Sequence, residues 1–211
     1  MQIISGIFRS RKILAPKGQE TRPTSSRLRA ALFNICQGQI EGVDFLDLFA
    51  GSGAMGFEAL SRGARSALFV DVSRESIRCI QSNARMLDVE GQVRVVYSDV
   101  YDALKKLSKE GVKFDIIYAD PPYSTYVKGG EEEVPHSVKV LSVVDELISS
   151  GCSILKPGGS FFIEEAVKTA SKQERPYKHL RLQSARTMGK ATLYHWVEGI
   201  GETSNDGGIE R

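Results

Sequence analysis

Four short apolar runs recur along the first 120 residues, and an acid sits within or just after each one. The runs are Asp44–Phe49, Ala67–Val70, Val93–Tyr97 and Phe114–Ala119; the acids are Asp47, Asp71, Asp99 and Asp120. Runs of this length, bounded by Gly, Ser and Pro, read as buried strands rather than helices. The segments between and after them carry a helical repeat: Ala54–Ser61, Glu75–Leu87, Val100–Lys109 and Ser137–Ser150. Strand alternating with helix demands right-handed crossovers and a mainly parallel sheet. In an open sheet of that kind the carboxyl ends of the strands line a single crevice. The four acids are therefore expected together. Downstream, Phe161-Phe162-Ile163 reads as one more buried strand after the turn Pro157-Gly158-Gly159. Leu180–Gln183 and Ala191–Val197 read as a closing antiparallel pair.

The first acid belongs to Asp47-Leu48-Phe49-Ala50-Gly51-Ser52-Gly53-Ala54-Met55-Gly56. Gly51, Gly53 and Gly56 allow a tight turn and close approach of backbone to a ligand. The helix that follows presents free N–H groups and a positive dipole end. Asp71, fifteen residues beyond Gly56, can accept both hydroxyls of a ribose. A lone Gly-x-Gly-x-x-Gly with a downstream acid also fits a dinucleotide site or an ordinary tight turn. Four acids along one crevice argue against a pyrophosphate. They suit S-adenosylmethionine, which carries a sulfonium and an ammonium and no phosphate. Asp47 is placed to hold the ammonium, and Ser98-Asp99 to accept from the adenine amino group.

Asp120-Pro121-Pro122-Tyr123 closes the fourth run. The prolines fix φ and lack N–H, so the turn is stiff and its carbonyls face outward. The acid and a neighbouring carbonyl can accept from an amino group, and Tyr123 offers a face for a planar base.

The formal charge of +2 conceals a strong asymmetry. Residues 1–30 and 168–190 each carry a net +6, and residues 31–167 a net −7. Basic segments attract phosphate backbones without regard to sequence, although charge runs are also ordinary solvated surface. Arg9, Arg11, Lys12 and Lys17 are expected to project from an N-terminal loop or hairpin. The next segment, from Ser25 to Cys36, reads as a helix with Leu28, Ala31, Leu32 and Ile35 on its apolar face. Arg27 and Arg29 then point elsewhere, towards a substrate.

At these residues the chain resembles the class I S-adenosylmethionine-dependent methyltransferases that act on amino groups. Two N-terminal blocks, Gly6–Leu14 and Arg22-Pro23-Thr24 through Leu32-Phe33-Asn34, are similar to the start of RsmD-type 16S rRNA guanine-N2 methyltransferases. The likeness covers roughly residues 3–198. It departs at Ser26, where the family usually has an acid, at Ala30, where it has Glu, and at residues 128–137, which form an enlarged loop. The resemblance implies a Rossmann-like α/β fold with a seven-stranded, mostly parallel sheet and helices on both faces. It implies a basic extension over 1–24, a methyltransferase domain over 25–198 and a disordered tail over 199–211. It implies catalytic roles for Asp120, Pro121 and Tyr123. Cofactor contacts fall to Asp47, Gly51, Gly53, Asp71, Ser98 and Asp99, and substrate contacts to Arg9, Arg11, Arg22, Thr24, Arg27 and Pro122. The expected partner is 16S rRNA or the assembled small subunit, met by a monomeric cytoplasmic enzyme without a metal. Alternatives are adenine N6 of nucleic acid, a protein amide, or a non-catalytic assembly factor; a nicotinamide oxidoreductase is more distant.

Other classes are disfavoured. No apolar stretch approaches the ~20 residues a membrane span needs, and no signal peptide is evident. Cys36, Cys79 and Cys152 fit neither a disulfide framework nor a zinc spacing. His136, His179 and His195 are scattered.

Overall fold

The computed structural model describes residues 1–16, 26–123, 125–126, 134–167 and 177–199. The fold is α/β. Helices α1 (Ser26–Ile35), α2 (Ala54–Ser61), α3 (Arg74–Leu87), α4 (Val100–Lys109) and α5 (His136–Ser149) surround one large sheet. Its strands are β1 (Asp44–Leu48), β2 (Ser66–Asp71), β3 (Val93–Tyr97), β4 (Phe114–Ala119), β7 (Leu155–Ala166), β8 (Leu180–Met188) and β9 (Ala191–Glu198). Two short strands, β5 (Thr125–Tyr126) and β6 (Val134–Pro135), pair separately as an antiparallel ribbon.

The sheet runs β3-β2-β1-β4-β7-β9-β8. All pairings are parallel except those of β9 with β7 and β8. Strand order reverses between β1 and β4, because the chain goes outward to β2 and β3 and then returns. That junction is the switch point at which an open α/β sheet leaves a crevice.

Burial on both faces explains the near-continuous apolar strands. Phe45, Phe69, Tyr118 and Phe162 pack against α1, α2 and α3 on one side. Leu46, Val70, Ile117 and Phe161 pack against α4 and α5 on the other. The strand alternation thus sends Asp47, between Leu46 and Leu48, to the α2 side.

Three local readings are corrected. In α1 the buried residues are Leu28, Arg29, Leu32 and Phe33, so Arg29 does not point outward. Its guanidinium donates to the Gln2 carbonyl at 2.9 Å and lies beneath a hairpin formed by residues 1–13, closed by the bridge Gln2↔Lys12. That hairpin buries Ile3 and Ile13 in the core, and Glu58 of α2 accepts from the amides of Ile4 and Ser5. The hairpin covers the outer face of α2, every residue of which is buried, Glu58 and Ser61 through hydrogen bonds to the hairpin. Second, Pro157-Gly158-Gly159 does not precede the strand but lies inside β7. The β4 register jumps from Leu155 to Ser160, so the intervening residues bulge out. Third, Gly56 faces protein. A Cβ there would meet the Phe69 ring at 2.3 Å, so the glycine is required for α2 to seat on β2.

Candidate active site

The chain leaves β1 through an unusual turn. Phe49 takes φ 58°, a left-handed conformation rare for a bulky residue. Gly51 and Gly53 follow at φ 54° and 77°, and the Gly53 amide donates to the Ala50 carbonyl at 2.7 Å. The turn is fastened from two sides. Asp71, at the end of β2, accepts from the Gly51 amide at 2.8 Å through one oxygen and from the Ser73 amide at 2.7 Å through the other. Asp47 accepts from the Gly56 amide at 3.0 Å. Gly51 itself faces open space, with nothing within 4 Å of a Cβ built on it. The loop therefore leaves a cradle that any larger residue would fill.

Asp47 does not line that cradle. It is 2% exposed and sits beneath the loop. Burial pushes its carboxyl well above the usual carboxylate range, and the charges of Asp120 and Asp71 add to the shift against the Gly56 hydrogen bond. A buried acid beneath a glycine loop, beside two further acids, gains from a cation placed above it.

Ser98 and Asp99 stand at the end of β3. Asp99 is exposed and caps α4, accepting from the Tyr101 amide at 2.8 Å. The Ser98 hydroxyl donates to the Asp99 carbonyl at 3.0 Å. On this side lies an aromatic group that no local pattern indicated. The Tyr101 hydroxyl and His136 Nδ1 are 2.7 Å apart, the two rings stack, and Phe49 meets His136 edge-on. Burial lowers the His136 pKa, partly offset by Asp99. His136 opens α5, directly after the ribbon that follows Tyr123.

β4 delivers the Asp-Pro-Pro-Tyr turn beside the glycine loop. Leu48 pairs with Ala119, so the next residue, Asp120, emerges level with Phe49. Asp120 is half-buried, Pro121 buried, and Pro122 and Tyr123 exposed. The Tyr123 ring is anchored by its hydroxyl, which donates to Glu164 Oε1 at 3.0 Å. Tyr118, buried in β4, donates to Glu164 Oε2 at 3.1 Å. Glu164 is 5% exposed, and burial raises its pKa while the two phenols pull it back. Pro122, Tyr123, His136 and Glu164 line one small cleft.

The crevice thus gathers Gly51, Gly53, Asp71, Ser98, Asp99, Asp120, Pro121, Pro122 and Tyr123, with Asp47 below. It does not gather the N-terminal cations. Arg11 donates to the Met86 carbonyl in the last turn of α3, and the hairpin bonds Ser61 at the end of α2. Both helices start at the strands' carboxyl ends and run back, so these contacts lie on the flank. Arg9 and Arg27 are solvent-exposed. Arg22 and Thr24 lie outside the described residues. Among the described residues no cluster of His, Cys, Asp or Glu could hold a metal, and no helix is long and apolar enough to cross a membrane.

Sheet order, glycine loop and strand-end acids define a class I S-adenosylmethionine-dependent methyltransferase. The model of the family described as Conserved hypothetical protein 95 matches residues 1–197, and the chain belongs to that family, the RsmD family. It is 38% identical over 123 residues to Ribosomal RNA small subunit methyltransferase D of Escherichia coli (strain K12). That alignment covers 58% of this chain and 60% of the relative, so it spans less than two thirds of the relative's length. The solved Escherichia coli protein yhhF superposes with a TM-score of 0.72 at 29% identity, covering 94% of this chain and 97% of that one. The methyltransferase-like protein SMU.776, solved with SAH, shares the fold at TM-score 0.57 and 19% identity over 81% of this chain and 48% of that one.

Proposed function

We propose that this protein transfers a methyl group from S-adenosylmethionine to the exocyclic N2 amine of a guanine in 16S rRNA. The observation that carries the reading is the adjacency of Asp120 to the glycine loop across the paired ends of β1 and β4. An amine acceptor and a cofactor cradle then share one crevice. The name of the Escherichia coli relative, a small-subunit rRNA methyltransferase, supports the RNA half.

In this reading Gly51 and Gly53 give backbone to the methionine end of the cofactor, and Asp47 supplies negative charge to its ammonium from below. The remaining lone pairs of Asp71 accept the ribose hydroxyls, and Ser98 and Asp99 border the adenine. When bound, the cofactor supplies an electrophilic methyl on sulfur. Asp120 and the Pro121 carbonyl accept the two N–H bonds of the amine. A guanine N2 lone pair is delocalised into its ring and attacks poorly. Holding both N–H groups turns the lone pair towards the methyl and stabilises the positive charge that grows on nitrogen. A C–N bond forms as the S–C bond breaks, and the thioether product leaves. The proton on nitrogen, acidic once the methyl has arrived, passes to Asp120 or water. Tyr123 stacks on the base, which must be splayed from the RNA. Arg9, Arg11 and Arg27 contact RNA outside the crevice, and Arg22 and Thr24 are further substrate contacts in this reading.

The test uses tritiated S-adenosylmethionine with naked 16S rRNA, assembled small subunits and DNA, followed by nucleoside identification. Label in N2-methylguanosine is expected. Label in N6-methyladenine would keep the site and overturn the substrate. Cofactor binding with no labelled nucleic acid would redirect the search to a protein amide or an assembly role.

A further inference from the structure

We propose that the carboxyl half of β8 and the β8–β9 turn form a track for the phosphate backbone of the RNA flanking the target base. This rests on the reading of the substrate as RNA and adds a surface to it.

Among the described residues β8 is the outermost strand of the sheet and pairs only with β9. From Arg181 to Thr187 its residues are exposed on both faces, Ser184 alone being half-buried. A naked edge of this length invites unwanted pairing unless something blunts it. Charge does so here. Lys178, Arg181, Arg186 and Lys190 lie in a stretch, from Tyr177 to Val197, that contains no acid. Among the described residues none of these four makes an ion pair, whereas Arg62, Arg65, Arg94 and Lys156 all do. At the amino end of β8 an acid is close, because Asp145 takes the amides of Lys178, His179 and Leu180. The uncompensated cations are those of the carboxyl half.

Topology puts that half at the crevice. β8 and β7 are both antiparallel to β9, so they run the same way and end on the same side. The Val167 amide, at the end of β7, donates to the Lys190 carbonyl at 3.0 Å, tying the turn there. Arg186 pairs with Leu193, and Leu193 with Glu164, so Arg186 stands on the same face as Glu164 two strands away, about 10 Å by ordinary strand spacing. An exposed guanidinium and an exposed ammonium, Arg186 and Lys190, beside a base pocket suit phosphates on either side of a splayed nucleotide. A peptide adding a strand to this edge would instead want apolar side chains at alternate positions; of the strand's exposed residues, only Leu182 is a large apolar side chain.

The experiment compares wild type, R186Q/K190Q and a control, K105Q/K109Q, which removes two exposed charges from α4. Binding to naked 16S rRNA and to assembled small subunits is titrated from 50 to 200 mM KCl, alongside cofactor binding by calorimetry and methylation kinetics. Losing two phosphate contacts should lower the slope of log affinity against log salt by about 1.4–1.8. The KM for RNA should rise about tenfold while cofactor affinity stays at the wild-type value, and the control should match wild type. Slope and KM unchanged in R186Q/K190Q, against a salt-dependent wild type, would overturn the track and leave the functional reading standing. Loss confined to assembled subunits would also overturn it, in favour of a ribosomal-protein contact. A wild type that binds cofactor but neither binds nor methylates RNA would fail the functional reading itself, and the track with it.

Discussion

Tyr123 and Glu164, 41 residues apart, meet through a 3.0 Å hydrogen bond that fixes the one exposed ring of the Asp-Pro-Pro-Tyr turn. Glu164 is itself held by Tyr118 from the central strand β4. A half-exposed phenol would otherwise sample several orientations; if a base stacks on it, ordering it only then would weaken binding of the transition state. Y123F keeps the ring and removes the bond without disturbing the core. It is expected to lower kcat/KM for RNA about tenfold, the scale of one hydrogen bond to a buried acid, with cofactor affinity unchanged. E164Q should cost a similar factor alone and little more on top of Y123F. Fully additive losses in that double-mutant cycle would show that Glu164 does not act through Tyr123.

Asp120 leaves β4 at the switch point, level with the left-handed Phe49. If it holds the amine in the transition state, D120A should cut turnover by about 100-fold or more while cofactor affinity stays within about threefold. D120N, which keeps one acceptor, should fall between. Single-turnover rates and calorimetry on the same preparations check this; wild-type turnover in D120A would remove Asp120 from the chemistry.

The strand-end acids were legible because both signals are local: an apolar run and the punctuation that ends it. Asp71 and Asp120 sit where such a run must stop, and the alternation with helices placed their strands in one parallel sheet, where they flank β1. Glu164 was not legible. It follows Phe161-Phe162-Ile163 beside a second acid, and two adjacent glutamates read as solvated chain. Only the register Ala119↔Ile163 sets it next to Asp120. Arg29 was misread for a related reason. Helical periodicity identifies one buried stripe, and nothing local reveals that the N-terminal hairpin covers a second. The glycines of the loop look alike in sequence, yet Gly51 faces open space, whereas Gly56 accommodates the Phe69 ring.

That difference among glycines can be measured. G56A forces a methyl to 2.3 Å from the Phe69 ring. Overpacking of this sort costs about 1–3 kcal/mol, or about 3–10 °C in Tm for a domain of this size. The folded fraction should bind cofactor within about twofold of wild type. G51A places its methyl in open space at φ 54°. Left-handed strain costs about 1–2 kcal/mol, so Tm should fall by no more than about 8 °C, but cofactor affinity should drop tenfold or more. Thermal unfolding and calorimetry on both variants separate the roles; equal losses of affinity would place Gly51 and Gly56 in one class.

Asp47 gives the apo protein a signed dependence on pH. Burial, and then the charges of Asp120 and Asp71, raise its folded pKa well above the usual value, which for an unfolded chain is about 3.9. A raised folded pKa means the folded state holds the proton more tightly. The resulting stability is fully present below the unfolded pKa and is lost as pH rises through the folded pKa. D47N is fixed in the neutral form, can still accept from the Gly56 amide, and escapes that loss. As pH rises from the unfolded towards the folded pKa, wild type should lose up to about 3–5 °C of Tm per pH unit relative to D47N. Cofactor should reverse the order, because its ammonium favours the ionised carboxylate. Binding to wild type should then release a proton, seen as a heat that changes with the ionisation enthalpy of the buffer, while binding to D47N releases none. A Tm difference independent of pH, together with buffer-independent heats, would mean that Asp47 keeps its ordinary ionisation and that the charge beneath the loop comes from elsewhere.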